Sequence, residues 1–119
     1  MKEKAKGWVM IEVHDTEHLI SLFARRELQP LDGSVVLALI AEMDTHNCRI
    51  HVKPSVIAEK LNVKDHVIRN SFARLKKHHY LRTVEDPRTK QTFFLLNPWA
   101  FKAGKPGLIN YAQSMFAEA

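Results

Sequence analysis

The sequence predicts an α+β domain that is mostly helical. Apolar residues recur at the spacing of an amphipathic helix in five separate segments. Two short runs rich in β-forming residues, Tyr80–Val84 and Gln91–Leu96, flank a polar turn. The chain has 119 residues, a length typical of one domain. We therefore predict a single domain that spans residues 1–119.

The composition excludes several classes of protein. The longest uncharged apolar run, Val35–Ala41, is far shorter than the roughly 20 residues needed to cross a membrane. Cys48 is the single cysteine, so no internal disulfide can form, which suits a reducing compartment. The first residues lead into no signal-type apolar segment. These features predict a cytoplasmic protein without a membrane partner.

Positive charge is concentrated in one part of the chain. The whole sequence carries a formal net charge of +5. Residues 64–90 contain eight basic and three acidic residues, so their net charge equals that of the whole chain, whereas residues 1–48 are net acidic. A basic segment of this kind indicates an anionic partner, most often nucleic acid, or a solvated face that binds nothing.

The N-terminal part of the chain is predicted to contain a strand and two helices. The strand is expected from β-forming residues, and the helices from apolar periodicity together with capping residues. The predicted elements are a strand over Trp8–Val13 that ends at His14, a helix capped by Asp15 or Thr16 and interrupted at Gln29-Pro30, and a helix from Gly33 to about Met43 that Asp32 opens.

Two further helices and a β-hairpin are predicted in the middle of the chain. Pro54 suits a first helical turn, and Asn62 tolerates the left-handed geometry that ends a helix. The predicted elements are a very short strand over Arg49–Val52, helices over Pro54–Asn62 and from about Lys64 to His78, strands over Tyr80–Val84 and Gln91–Leu96, and a turn over Glu85–Lys90. This order is that of a winged helix-turn-helix, with residues 31–97 as its core.

Several residues support this motif beyond periodicity alone. Ala58 is small where the second helix of such a motif crosses the first, and Leu61 and Val63 bracket the turn. The alternative is a generic amphipathic helix with a solvated basic face, which explains the periodicity equally well. It explains less well the small Ala58, the turn residue Asn62 and the basic hairpin together.

The polar face of the second helix has residue types that suit a DNA major groove. Arginine can bond guanine in a bidentate manner, and asparagine can do the same with adenine. Lysine suits phosphates, which set affinity without reading sequence. We predict that His66, Arg69, Asn70 and Arg74 read bases beside Asp65, and that Lys64, Lys76, Lys77, Arg88 and Lys90 contact phosphates, with the last two reaching the minor groove or the backbone.

A resemblance to a known family covers residues 7–104. The segment Gly7-Trp8-Val9-Met10-Ile11 precedes the helices, and the element Asn97-Pro98-Trp99-Ala100-Phe101-Lys102-Ala103-Gly104 follows the hairpin. The chain thereby resembles plasmid replication initiators of the RepL type. The resemblance implies DNA binding at a replication origin or an operator, as a dimer. It leaves open whether the protein initiates replication or regulates transcription.

The recognition-helix segment also resembles that of winged-helix regulators, with two departures. Lys64 occupies a position that often holds a capping serine, so Asp65 could cap instead. His79 occupies a position that often holds glycine, and a histidine can adopt a left-handed conformation at some cost. Both departures concern the ends of the helix rather than its existence.

The last segment predicts one more helix, over Gly107–Ala119, within a C-terminal extension of residues 98–119. This helix could form a homodimer interface together with the N-terminus, or it could pack on its own domain. A dimer would match the two-fold symmetry of palindromic DNA sites. Other partners would be the replication or transcription machinery.

Two alternative functions remain to be weighed. A winged helix can serve as a protein-interaction module, whose basic face would meet an acidic partner. An enzyme is disfavoured because the sequence has neither a phosphate-binding P-loop nor a nucleophile elbow, and no carboxylate pair. The residues His46, Cys48 and His51 are of metal-ligating types, but they straddle a turn and a short strand. We predict no metal and no cofactor.

Overall fold

In the computed structural model, which describes residues 7–104 and 106–118, a short strand precedes four helices, and three strands and a last helix follow. The helices in these ranges are α1 (Val13–Ala24), α2 (Pro30–Glu42), α3 (Pro54–Leu61), α4 (Asp65–Lys77) and α5 (Pro106–Glu118). The strands in the same ranges are β1 (Met10–Ile11), β2 (Leu81–Glu85), β3 (Thr92–Leu96) and β4 (Phe101–Lys102). The strands form two small antiparallel sheets, so the predicted α+β class is confirmed.

Helices α2, α3 and α4 pack against one another, and the β2–β3 hairpin follows α4 directly. Their contact surfaces form the hydrophobic core. The fully buried core residues of these elements include Val35, Leu39, Ile57, Ile68, Leu75, Leu81 and Leu95. The core therefore lies between the three helices and the inner face of the hairpin.

The hairpin gains a third, single-residue member. In β2–β3, Leu81 faces Leu96 and Glu85 faces Thr92 in antiparallel register. Ile50 bonds to Phe94 of β3 in both directions, with N–O distances of 3.0 and 2.9 Å. The strand predicted over Arg49–Val52 is thus reduced to one bridging residue, which also pairs with Met43 at the end of α2.

Asn97 organises the connection from β3 to β4. Its backbone N–H bonds to the carbonyl of Tyr80, and its side-chain amide donates to the carbonyl of His79. Its side-chain oxygen accepts the N–H of Trp99 at 2.9 Å. A turn of this kind suits the asparagine side chain, which bonds readily to nearby backbone. The asparagine of the Asn-Pro element therefore joins the end of α4 to β4.

Gly104 allows a close approach that no other residue would permit. Its φ is +81°, and a Cβ at this position would lie 2.9 Å from the carbonyl oxygen of Thr45. The segment after β4 therefore packs directly on the turn after α2, beside the β1–β4 ribbon. In this ribbon Met10 faces Lys102 and Ile11 faces Phe101.

Helix α1 begins earlier than predicted. Glu12 is its N-cap, with an extended backbone, and the Glu12 carbonyl accepts the N–H of Thr16 at 3.0 Å. The predicted caps, Asp15 and Thr16, therefore lie in the first turn of the helix. His14 lies in the helix rather than at the end of a strand, and the predicted strand is reduced to β1.

Helix α2 also begins earlier, at Pro30 rather than Gly33. Gln29 and Asp32 form a reciprocal capping box, in which each side chain accepts the other residue's backbone N–H. Pro30 occupies the first helical position, where a missing N–H costs nothing. The proline predicted to interrupt a helix therefore starts one, and Asp32 caps it from within the first turn.

The predicted ends of α3 and α4 are confirmed in their main features. Asn62 and His79 both adopt left-handed backbone, with φ of 55° and 64°. Lys64 is the N-cap of α4 but makes no side-chain cap bond, and Asp65 lies in the first turn instead of capping. A carboxylate in that turn is favourable to the helix dipole.

The two terminal helices both pack on the domain. The hydroxyl of Tyr80 lies 2.6 Å from Nδ1 of His18, which ties α1 to the end of α4. Burial is the largest of the causes that raise the pKa of Tyr80, to about 12. Ala112 and Phe116 of α5 are buried, and the ring of Phe116 meets that of Trp99 edge-on. The final predicted residue, Ala119, lies outside the described residues.

None of the described helices is both long enough and apolar enough to pass through a membrane.

Candidate nucleic-acid interface

The turn between α3 and α4 sets the direction of α4. Ala58 is buried, and its carbonyl accepts the N–H of Val63 at 3.0 Å. Asn62 supplies the left-handed residue that ends α3, so the chain reverses within three residues. The small side chain of Ala58 lets α4 pack closely across α3, as the sequence predicts.

Helix α4 has one buried face and one exposed face. The buried residues are Ile68, Ser71, Phe72 and Leu75. We term the exposed side of α4, together with its N-cap residue, the basic face. Its residues are Lys64, Asp65, His66, Arg69, Asn70, Ala73, Lys76 and Lys77. Most of the predicted site residues thus share one solvent-facing surface.

The central polar side chains of the basic face are available to a ligand. Among the described residues, none bonds to the side chain of His66, Arg69 or Asn70, and none forms an ion pair with it. Ala73 lies beside them and adds no bulk. Lys76 lies towards the hairpin, with its Nζ 5.8 Å from the ring centre of Phe94. The surface therefore presents unused donors flanked by lysines.

Arg74 differs from the other predicted base-reading residues. Its Nε donates to Oδ2 of Asp32 at 2.9 Å, and its Nη2 donates to Oδ1 at 2.9 Å. This bidentate pair joins α4 to the first turn of α2. The contacts of Arg74 are those of a structural residue, because its donors point to a partner within the domain.

The electrostatics of Asp32 follow from these contacts. Burial alone would raise the pKa of its carboxyl group. Hydrogen bonds from Arg74, from Ser71 and from the N–H of Gln29 lower this pKa by more, so it lies below 3.8. The same pairing raises the pKa of Arg74. Asp32 is therefore a charged and fully hydrogen-bonded group in the core.

The hairpin tip places two more predicted residues at the surface. The side chain of Asp86 accepts the N–H of Arg88 at 2.8 Å, and its carbonyl accepts the N–H of Lys90 at 2.8 Å. Lys90 has a φ of 63°, which closes the turn. The side chains of Arg88 and Lys90 are exposed. Asp86 thus holds the turn that presents both cations.

Arg49 connects the hairpin tip to the rest of the domain, a role that sequence reasoning missed. Its Nη1 donates to Oδ2 of Asp86 at 2.8 Å, and this bond is the largest of the causes that lower the pKa of Asp86. The guanidinium carbon lies 4.4 Å from the ring centre of Phe93. Arg49 lies 37 positions before Asp86, and no local pattern signals that pairing.

The possible metal ligands of the sequence do not converge. The thiol of Cys48 is buried and donates to the carbonyl of Ala103 at 3.4 Å, and burial raises its pKa. His51 lies against the ring of Phe93, with centroids 5.6 Å apart. Within the part of the chain that the structure describes, no three histidine, cysteine or acidic residues are placed to hold a metal ion.

A search of protein-family models found no match to this chain, and a search of curated proteins found no significant match.

Proposed function

We propose that this protein is a winged-helix protein that binds double-stranded DNA in a sequence-specific manner. Its role would be plasmid-type replication initiation or control, or regulation of transcription. The observation that carries the proposal is the basic face of α4, whose central side chains, His66, Arg69 and Asn70, are exposed and make no hydrogen bond or ion pair with the described residues. This combination suits a helix that enters a major groove.

The arrangement of elements supports this proposal. Three mutually packed helices precede a hairpin, and Ile50, between the first two, adds to the edge of that hairpin. In a winged helix the third helix enters the groove while the hairpin, the wing, contacts adjacent backbone. Here α4 would be the recognition helix, and the tip with Arg88 and Lys90 would be the wing.

Each exposed side chain has a distinct role in this proposal. Arg69 and Asn70 read bases through bidentate bonds, and His66 and Asp65 add contacts near the start of α4. The phosphate contacts come from Lys64, Lys76, Lys77, Arg88 and Lys90. Five such contacts per protomer correspond to a slope of log K against log salt of about −4.5.

A second copy of the chain fits the N-terminal apolar surface. Trp8 is 76% exposed, Val13 is 71% exposed and Ile20 is 62% exposed, and Met10 and Ile11 lie between them in sequence. Together they expose on the order of several hundred Å² of apolar area, close to one partner's share of a stable interface. A homodimer would also match a palindromic site.

The experiment that tests the proposed function is fluorescence anisotropy of labelled duplexes across a salt series. The probe is a duplex recovered by in vitro selection with this protein, and the competitor is a scrambled duplex of the same composition. Arg69→Ala should weaken binding to the selected duplex by about 1–3 kcal/mol and relax specificity at one position.

Lys102→Ala is the matched control, since it removes one positive charge from β4, outside the basic face and the hairpin. It should leave discrimination between the two duplexes unchanged. Equal weakening of both duplexes by Arg69→Ala would contradict base reading. Absence of salt-sensitive binding by the unaltered protein would favour a protein-interaction module instead.

A further inference from the structure

The carboxylate of Asp32 is the meeting point of two helices. It is completely buried and accepts four hydrogen bonds. Its Oδ1 accepts the hydroxyl of Ser71 at 2.5 Å and Nη2 of Arg74 at 2.9 Å, while its Oδ2 accepts Nε of Arg74 at 2.9 Å and the N–H of Gln29 at 2.8 Å. We term this group the Asp32 cluster. It joins the first turn of α2 to the middle of α4.

The Asp32 cluster differs in kind from the apolar contacts of α4. Side chains such as Ile68 and Leu75 pack without directional bonds, so they tolerate a small rotation of the helix about its axis. A buried carboxylate bonded by a planar guanidinium and a hydroxyl tolerates no such rotation without leaving a polar group unpaired. Buried polar groups can specify one arrangement among several of similar stability.

The rotation of α4 decides where its reading residues point. Asn70 and Ala73 each precede a member of the Asp32 cluster, Ser71 or Arg74, by one residue. One residue corresponds to about 100° around a helix, because a turn has 3.6 residues. When Ser71 and Arg74 face α2, the direction of Asn70 and its neighbour Arg69 is therefore fixed relative to the rest of the domain.

We propose that Asp32, acting through Ser71 and Arg74, is a positioning residue that sets the rotation of α4 and thereby the sequence discrimination of the protein. This inference rests on the proposed function. In this role Arg74 contributes to specificity without touching a base. Loss of the cluster should reduce discrimination at several base pairs together, and should leave phosphate-driven binding in place.

Arg74→Lys is the sharpest variant. Lysine keeps the positive charge but has no planar fork, so it can neutralise Asp32 without fixing a direction. The ratio of the Kd for the scrambled duplex to that for the selected duplex should fall by about tenfold or more, the discrimination of one good bidentate contact. Non-specific affinity should stay within about twofold and the salt slope should be unchanged, since the net charge and the phosphate contacts are the same.

The matched control is Arg25→Lys, because Arg25 pairs with Glu27 on the exposed surface of the domain. Folding of each variant is checked by circular dichroism before binding is measured. If Arg74→Lys does not fold, Ser71→Ala removes one bond of the cluster and leaves its ion pair. A folded variant of the cluster that discriminates as well as the unaltered protein would overturn the proposal.

Asp32→Asn separates positioning from direct reading by Arg74. It releases the guanidinium, so a base-reading Arg74 would keep or improve discrimination, whereas a positioning role predicts loss. Repeating the selection with each variant gives a second criterion. Loss confined to one base pair would mean that Arg74 reads that base, which overturns the proposal. If the unaltered protein does not discriminate at all, the proposed function itself fails.

Discussion

Replacement of Arg74 by methionine should destabilise the fold strongly. The side chain of Asp32 is 0% exposed and that of Arg74 is 24% exposed. Arg74→Met leaves a carboxylate that cannot reach water, so we expect a loss of about 3–5 kcal/mol in the free energy of unfolding at pH 7. Asp32→Asn leaves a guanidinium that can turn towards solvent, so we expect a smaller loss, of about 1–3 kcal/mol.

The loss in Arg74→Met should depend on pH with a definite sign. In the unaltered protein the pKa of Asp32 is below 3.8, so this group stabilises the fold above that pH, and its contribution is lost as pH falls through the folded pKa. Without Arg74, the largest of the contacts that lower this pKa is lost while the effect of burial remains, so the variant takes up a proton at higher pH than the unaltered protein does. The difference in unfolding free energy between the unaltered protein and Arg74→Met should therefore narrow as pH falls from 7 through the folded pKa of the variant and then through that of the unaltered protein.

Urea unfolding followed by circular dichroism, at pH 7 and at pH 4, measures this gap. Arg25→Met is the control, because Arg25 belongs to an exposed pair with Glu27 and should cost no more than about 0.5 kcal/mol. A loss below about 1 kcal/mol for Arg74→Met at pH 7 would refute the assignment of a buried, paired carboxylate. So would a gap that widens at acid pH.

Three further predictions follow from other contacts. Arg49→Met should weaken binding to the selected duplex by about three- to tenfold, because it removes the bond to Asp86 that fixes the wing to the rest of the domain. Unchanged anisotropy titrations would contradict this role. His79→Gly should stabilise the fold by about 0.5–1 kcal/mol in urea unfolding, since φ is 64° there, and a lower midpoint would argue against it. Val13→Asp should convert a dimer into a 13.7 kDa monomer in size-exclusion light scattering. Leu37→Asp, at an exposed position of α2, should leave the dimer intact. A monomeric unaltered protein would refute the proposed interface.

Features set by neighbouring residues were predicted well from the sequence. Pro54 begins α3 and Asn62 ends it, as expected from a proline at the first position and a residue that tolerates left-handed backbone. The apolar spacing of α4 placed its bounds within one residue of those observed. These signals act over a few residues, so no knowledge of the tertiary structure is needed to interpret them.

The hydrogen bonds and ion pairs between side chains far apart in sequence were not predicted. Asp32 was expected to open a helix, but nothing in its vicinity signals Arg74, which follows 42 positions later. The same periodicity that places Arg74 on the polar side of α4 cannot show whether its partner is a base or a carboxylate. A local signal did exist for the start of α2, since Gln29 and Asp32 have the spacing of a capping box.

Some of the charged side chains in residues 64–90 have partners inside the domain, so the net charge of this segment does not give the number of cations available to a ligand. Arg74 is neutralised by Asp32 from outside this window, and Asp86 is neutralised by Arg49, also from outside. Arg82 lies over the ring of Phe116 on α5, with its guanidinium carbon 5.0 Å from the ring centre.

Six of the eight basic residues in residues 64–90 therefore remain available to bind an anion. They lie on α4, at its N-cap and at the tip of the wing. If all eight basic residues bound phosphates, the slope of log K against log salt would be about −7 per protomer. If Arg69 binds a base and the other five bind phosphates, the slope is about −4.5 per protomer. The slope therefore distinguishes a structured reading surface from a uniformly basic segment.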